Sequence, residues 1–194
     1  MPKLRTTQSK SLESDAKLRE LVVLITTLSE GDKPFGKVKL NKLLFYSDFI
    51  AYRRFGKSIT GHEYQRLAQG PAPRRLVAVI PSLATNPKAD RDIIVRKNDY
   101  FGRDVHRPLA LRKPNTSLFT FDELSLVTSL VQQWLGKSAR EISDASHKFK
   151  GWRLAKNQET IPYSVALVGN RPPSEEERRR GSAHEKLARK KLAS

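Results

Sequence analysis

The sequence predicts an α+β fold that is mainly α-helical, a helical bundle carrying a small antiparallel β-sheet or hairpin. Three observations carry that expectation. Two early segments repeat apolar residues every three or four positions, two capping boxes mark further helices in the second half, and short alternating runs bounded by glycine or proline lie between them.

The first helix is expected from Ser14, where Leu18, Leu21, Val22, Ile25 and Leu28 form one buried stripe, and it stops at Gly31. KVKLNKLLFYSDFIAYRRFG follows with two apolar faces, Leu40, Leu43, Leu44, Ser47 and Ile50 on one and Phe45, Phe49, Tyr52 and Phe55 on the other. A helix apolar over most of its girth belongs at the centre of a bundle. EYQRLAQGPAP reads as a short strand that ends in a turn at Gly70-Pro71, and Pro73 is placed to open a helix with Leu76, Val79 and Ile80 that Pro81 breaks or ends. DIIVRK and DVHRPLALRK read as a hairpin connected through Asn98 to Gly102. The boxes Thr120-Phe-Asp-Glu123 and Ser138-Ala-Arg-Glu141 open two helices, the first with Phe121, Leu124, Val127, Leu130, Val131 and Trp134 inward. These two helices are expected to fold back on each other.

Composition separates a core from its surroundings. The 194 residues suffice for one domain, while the mean hydropathy of -0.57 places part of the chain outside it. We expect a basic N-terminal tail over 1–12, a domain over 13–170, and a charged tail over 171–194, helical in part, opened by Ser174 after Arg171-Pro-Pro. Lys and Arg number 37 against 20 acids, a net charge of +17, which attracts phosphate backbones, anionic membranes and acidic proteins alike. The absence of cysteine removes disulfides, thiol catalysis and the common zinc-finger spacings, and fits a cytoplasmic protein. The early apolar run LVVLITTL is interrupted by threonines inside a helical pattern, so neither a signal peptide nor a membrane span is expected.

The stretch SDASHKFKGW places Ser143, Asp144 and His147 on one helix, three and four residues apart. A working triad needs the histidine between nucleophile and carboxylate, with donors aimed at an oxyanion, and no glycine-rich elbow accompanies this serine. Packing explains His147 and Trp152 better: the imidazole can bond a backbone carbonyl between elements, and the indole fills core volume while its N–H finds a partner. A metal held by His147 and Asp144 lacks further ligands, because His62, His106 and His184 are dispersed. We therefore expect no enzyme, no catalytic residue, no metal and no cofactor.

Recognition of another macromolecule is left to the exterior. The pairs Arg53-Arg54 and Arg74-Arg75 flank apolar helical stripes and suit bidentate pairing with carboxylates, so they are candidate anchors for a protein partner. The alternative is a basic nucleic-acid-binding regulator of winged-helix type, with the hairpin over 92–112 as wing beside the helix opened by Pro73.

Three landmarks taken in order, KLNKLLFYSDF, YQRLAQGPAP, and SAREISDASHKFKGWRLA with IPYSVAL following, resemble the Panacea domain, also called the SocA-like antitoxin domain. The resemblance runs from about Leu18 to Val168. It implies a mostly helical domain with a small antiparallel sheet and a non-enzymatic role, in which the domain binds and neutralises a cognate toxin and in some members acts as an adaptor to a cytoplasmic protease. It also implies structural roles for Gly70, Pro71, Ser146, His147 and Trp152. The basic extension after Arg171 lies outside it.

Overall fold

α2, Lys37–Phe55, is the element on which most of the others pack, as its two apolar faces require. The computed structural model describes residues 3–75, 80–81, 91–102, 104–169, 175–176 and 179, with side chains from Leu12 onward. Among these, α1 spans Lys3–Leu28, β1 Tyr64–Leu67, β2 Gly70–Pro73, β3 Ile93–Asp99, β4 Asp104–Ala110, α3 Phe121–Trp134, α4 Ala139–His147, α5 Lys150–Leu154 and β5 Thr160–Ile161. The fold is α+β and mainly helical, with two small antiparallel sheets ordered β2-β1-β5 and β3-β4.

The main core joins Leu18, Leu21, Val22 and Ile25 of α1 to Leu40, Leu43 and Leu44 of α2 and to Leu126, Val127, Leu130 and Val131 of α3. A second, aromatic core lies on the other face of α2. There Phe45, Phe49 and Tyr64 pack with Ile161, Phe149 and Tyr163, the Phe45 and Phe49 rings 4.5 Å apart and Phe49 and Tyr163 4.8 Å apart.

Several expectations are corrected. Helical backbone begins at Lys3 rather than Ser14. Gly70-Pro71 does not form a turn: it starts β2, which pairs with β1 through the two-residue connection Ala68-Gln69, Leu67 opposite Gly70 and Tyr64 opposite Pro73. Pro73 therefore ends a strand instead of opening a helix. Ile80 and Pro81 are helical, while Leu76 and Val79 lie outside the described residues. Both capping boxes form, yet α3 and α4 each pack mainly on α2 and not on each other. Phe121, expected to face inward, is 85% exposed, because the first residue of α3 projects beyond the packed face. Of the C-terminal segment, Glu175, Glu176 and Arg179 are helical, and Ser174 lies outside the described residues.

Acidic hubs tie the distant pieces together. Asp92 accepts from Arg19 at 2.7 Å and from Arg112, and Arg112 also bonds Glu20, which pins the β3–β4 hairpin to α1. Asp32, between α1 and α2, takes Lys39 on one oxygen and the Gly136 N–H at 2.9 Å on the other. Arg107 of β4 donates to the carbonyls of Glu30, Asp32 and Lys33. These pairs are partly desolvated, where hydrogen-bonded charges contribute more than at an open surface.

Candidate functional site

Two lysines one turn apart on α2 introduce the site. A helix apolar around most of its girth has no polar side for them, and both are buried, 1% exposed each. Lys39 is compensated by Asp32 at 2.5 Å and by the Lys137 carbonyl at 2.8 Å. Lys42 instead reaches β2, where its ammonium donates to the Pro71 carbonyl at 3.1 Å. Burial pushes its pKa down from 10.5 to about 8.

Gly70 makes this approach possible. Its φ of +98° is a conformation L side chains rarely adopt. A Cβ there would also lie 2.5 Å from Ser146 Oγ and 2.7 Å from Lys42 Cε. Ser146, fully buried on α4, donates to the Ser143 carbonyl at 2.7 Å. Gly70, Pro71 and Ser146 thus meet around Lys42, where α2, β2 and α4 converge.

His147 and Trp152 stand beside this junction. Their rings stack with centroids 4.0 Å apart, and the guanidinium of Arg66 lies 4.6 Å from the indole centroid. The Trp152 Nε1–H donates to the Leu67 carbonyl at 2.9 Å, fastening α5 to the end of β1. Among the described residues His147 bonds no carbonyl through Nε2, which is buried without a hydrogen-bond partner; the imidazole is used as a flat packing surface. Asp144 is exposed and faces Arg140 at 3.8 Å. Among the described residues no group of three or more His, Asp or Glu side chains is placed to hold a metal ion.

A second buried polar cluster lies at the C-terminal half of α2. Asp48, fully buried, accepts from the Thr60 N–H at 2.7 Å and from the Thr60 hydroxyl at 2.5 Å. The Tyr64 oxygen is within hydrogen-bond distance of both Asp48 Oδ2, 2.7 Å, and the Leu44 carbonyl, 2.9 Å, yet owns one proton. A protonated Asp48 resolves the conflict by donating to Tyr64, which then donates to Leu44. Burial pushes the Asp48 pKa up and so favours that form.

The four candidate arginines fall into two groups. Arg53 and Arg54 are exposed on the last turn of α2 and form no ion pair among the described residues. Arg74 and Arg75 follow β2 and are already engaged: Arg74 donates to the Gln158 carbonyl at 2.6 Å and to Thr160 Oγ1, and Arg75 lies 3.3 Å from Asp15.

Lys42, Asn41 and Asp48 lie within the landmark KLNKLLFYSDF, but no catalytic or ligand-binding motif legible in the sequence singles them out. The available signal is their position: each interrupts a segment in which apolar residues occupy both faces. Replacing Lys42 with methionine removes a buried charge while keeping the shape, and is expected to raise stability at pH 7 by about 1–3 kcal/mol. Because the lysine's pKa is lowered on folding, the unfolded chain binds more protons between about pH 8 and 10.5, and wild-type stability rises across that window. Denaturant titrations at pH 7 and pH 10 check this, since the advantage of the methionine variant must shrink at the higher pH.

Comparison with curated proteins and with solved structures found no match. A family model described as antitoxin SocA-like, Panacea domain, matches residues 40–153, more than half of the chain. That span starts in the first turn of α2, includes both sheets apart from β5, and ends on α5 one residue past Trp152, so it contains the whole Lys42 junction. The chain belongs to the antitoxin SocA-like, Panacea domain family.

Proposed function

We propose that this protein neutralises a partner toxin by direct protein–protein binding, covering the toxin's active surface. Family membership carries the reading, since it points to an antitoxin-like, non-catalytic role. The state of the polar residues supports it: Asp144 and His147 are engaged in a surface pair and stacking instead of a relay.

A stable complex of this kind buries on the order of 1,600 Å² in total, dominated by a few aromatic or arginine anchors. Arg53, Arg54, Arg74 and Arg75 are the proposed cationic anchors, with Arg53 and Arg54 foremost because their guanidinium groups are in no ion pair among the described residues. A chain carrying +17 selects a partner with an acidic or apolar patch. Co-expression with the product of the neighbouring gene tests this. The wild-type protein is expected to relieve toxicity and co-purify with that product, and reversing both charges, Arg53→Glu with Arg54→Glu, is expected to weaken capture by about tenfold or more. A neighbouring product that is harmless alone and does not co-purify overturns the reading.

In a finer version the protein is an adaptor that hands the toxin to a cytoplasmic protease. The toxin's half-life in cells then shortens when this protein is present; unchanged turnover leaves simple neutralisation. Nucleic-acid binding draws less support, because three cations of the would-be wing are committed elsewhere: Lys97 pairs with Asp104 at 2.7 Å, and Arg107 and Arg112 clamp α1 and its following loop, while Arg96 is exposed and in no ion pair among the described residues. A regulator would retard duplex DNA at low salt and lose affinity with a slope of roughly -0.9 per neutralised phosphate. Among the described residues no helix is long and apolar enough to cross a membrane.

A further inference from the structure

Lys39 and Lys42 are equally buried, yet among the described residues only Lys39 has a counter-ion. Among the described residues Lys42 is in no ion pair and makes one hydrogen bond, to Pro71. An ammonium has three N–H donors, so two are unspent. An unpaired charge in such a place is costly, and proteins retain one where something else completes it.

The space beside it has the matching features. Lys42 lines a hollow of about 280 Å³ between α2 and the β1–β2 connection. Asn41 lines the same hollow, and its Oδ1 is buried with no hydrogen-bond partner among the described residues. An adjoining hollow of about 230 Å³ shares Asn41, Leu67 and Ala72 and adds Lys37, also in no ion pair among the described residues. No aspartate or glutamate is among the described residues that line either hollow, whereas the larger cavity near α1 balances its cations, with Glu63 beside Arg74 and Asp15 beside Arg75. The remaining walls are largely apolar, with Val38, Leu67, Ala72 and Ile80.

A ligand that satisfies these groups carries an anion for Lys42, an N–H for Asn41 and apolar surface for the walls. A phosphodiester has the first and lacks the second. A peptide has all three. We propose that the cleft between the N-terminal half of α2 and the β1–β2 hairpin receives an acidic segment of the protein partner. Its carboxylate bonds Lys42 Nζ, a backbone N–H donates to Asn41 Oδ1, and the flanking side chain rests on Leu67 and Ala72. This site assignment rests on the neutralisation reading for its biological occupant, but the chemistry of the cleft can be tested alone.

The full chain, isotopically labelled, is titrated at millimolar concentration with N-acetyl-Ala-Glu-Ala amide, with its Gln counterpart, and with sodium sulfate, following the backbone amides by NMR. The Glu peptide is expected to shift Gly70 and Ala72 saturably, with affinity at least about tenfold above the Gln peptide, and Lys42→Gln is expected to erase that preference. Equal or absent shifts for the two peptides overturn the proposal, as does saturation by sulfate with no response to the Glu peptide. Lys37→Gln, half-buried at the margin, gives a second variant independent of the packed junction and is expected to weaken the Glu peptide severalfold. With the neighbouring gene's product as partner, Lys42→Gln is expected to lower capture at least about tenfold without lowering the melting temperature. Undiminished capture removes the cleft from the interface while leaving neutralisation standing. If the wild-type protein captures nothing yet the Glu peptide binds, neutralisation falls and the carboxylate cleft stands.

Discussion

Replacing Gly70 with alanine is expected to lower the melting temperature by about 5–15 °C, because two costs add at this one position. The backbone sits at φ +98°, which a Cβ makes strained, by about 1–3 kcal/mol. The new methyl also meets Ser146 Oγ at 2.5 Å and Lys42 Cε at 2.7 Å in a packed junction, where overfilling costs about 1–3 kcal/mol more. At about 2–4 °C per kcal/mol for a chain of this size, the summed cost of about 2–6 kcal/mol spans about 4–24 °C, and the expected loss lies within that span. Gly136→Ala is the comparison: its φ is +74° but among the described residues nothing lies within 4 Å of where a Cβ would sit, so only the strain remains. Equal losses in the two variants, measured by calorimetry, would show that the contacts with Lys42 and Ser146 add nothing.

Removing the Asp48 side chain is expected to cost about 3–5 kcal/mol, because Asp48→Ala strips partners from several buried groups at once. The Thr60 N–H, the Thr60 hydroxyl and the Tyr64 hydroxyl would each face a cavity in the space between α2 and β1. The pH dependence has a definite sign. Burial raises the folded-state pKa of Asp48 above its ordinary value of 3.8, so its contribution is fully present below that value and is lost as pH rises through the folded pKa. The gap between wild type and variant should therefore be widest at acidic pH and narrow as the carboxyl ionises. Urea titrations over a pH series measure it, and a gap that widens with pH would show that Asp48 is held ionised.

Local information accounts for the parts of the fold that are legible in the sequence. Each capping box depends on residues three apart, and both form as the spacing requires, Thr120 with Glu123 and Ser138 with Glu141. The stripe from Leu18 to Ile25 and the two-faced character of α2 follow from helical periodicity, and the hairpin of β3 and β4 from alternation around a short connection. Two departures share one cause. GPAP is composed of turn-forming residues, yet it is a strand because β1 and α2 cover it on either side. Phe121 continues the inward periodicity of α3, although the helix has not yet reached the core at its first residue.

The amino-acid order by itself determined the buried stripe of α1, the two-faced α2, the caps of α3 and α4, the β3–β4 hairpin and the family, since each is written in neighbours or in a sequence pattern. Tertiary structure alone decided which polar groups are buried and what they meet. Trp152 finds its acceptor at Leu67, Lys42 at Pro71 and Lys39 at Asp32 and Lys137 only after α2 has gathered segments from both halves of the chain. The physical reason is that a buried charge or N–H is satisfied by whatever lies nearest in space, and that neighbour is set by packing across the bundle, not by spacing along the chain.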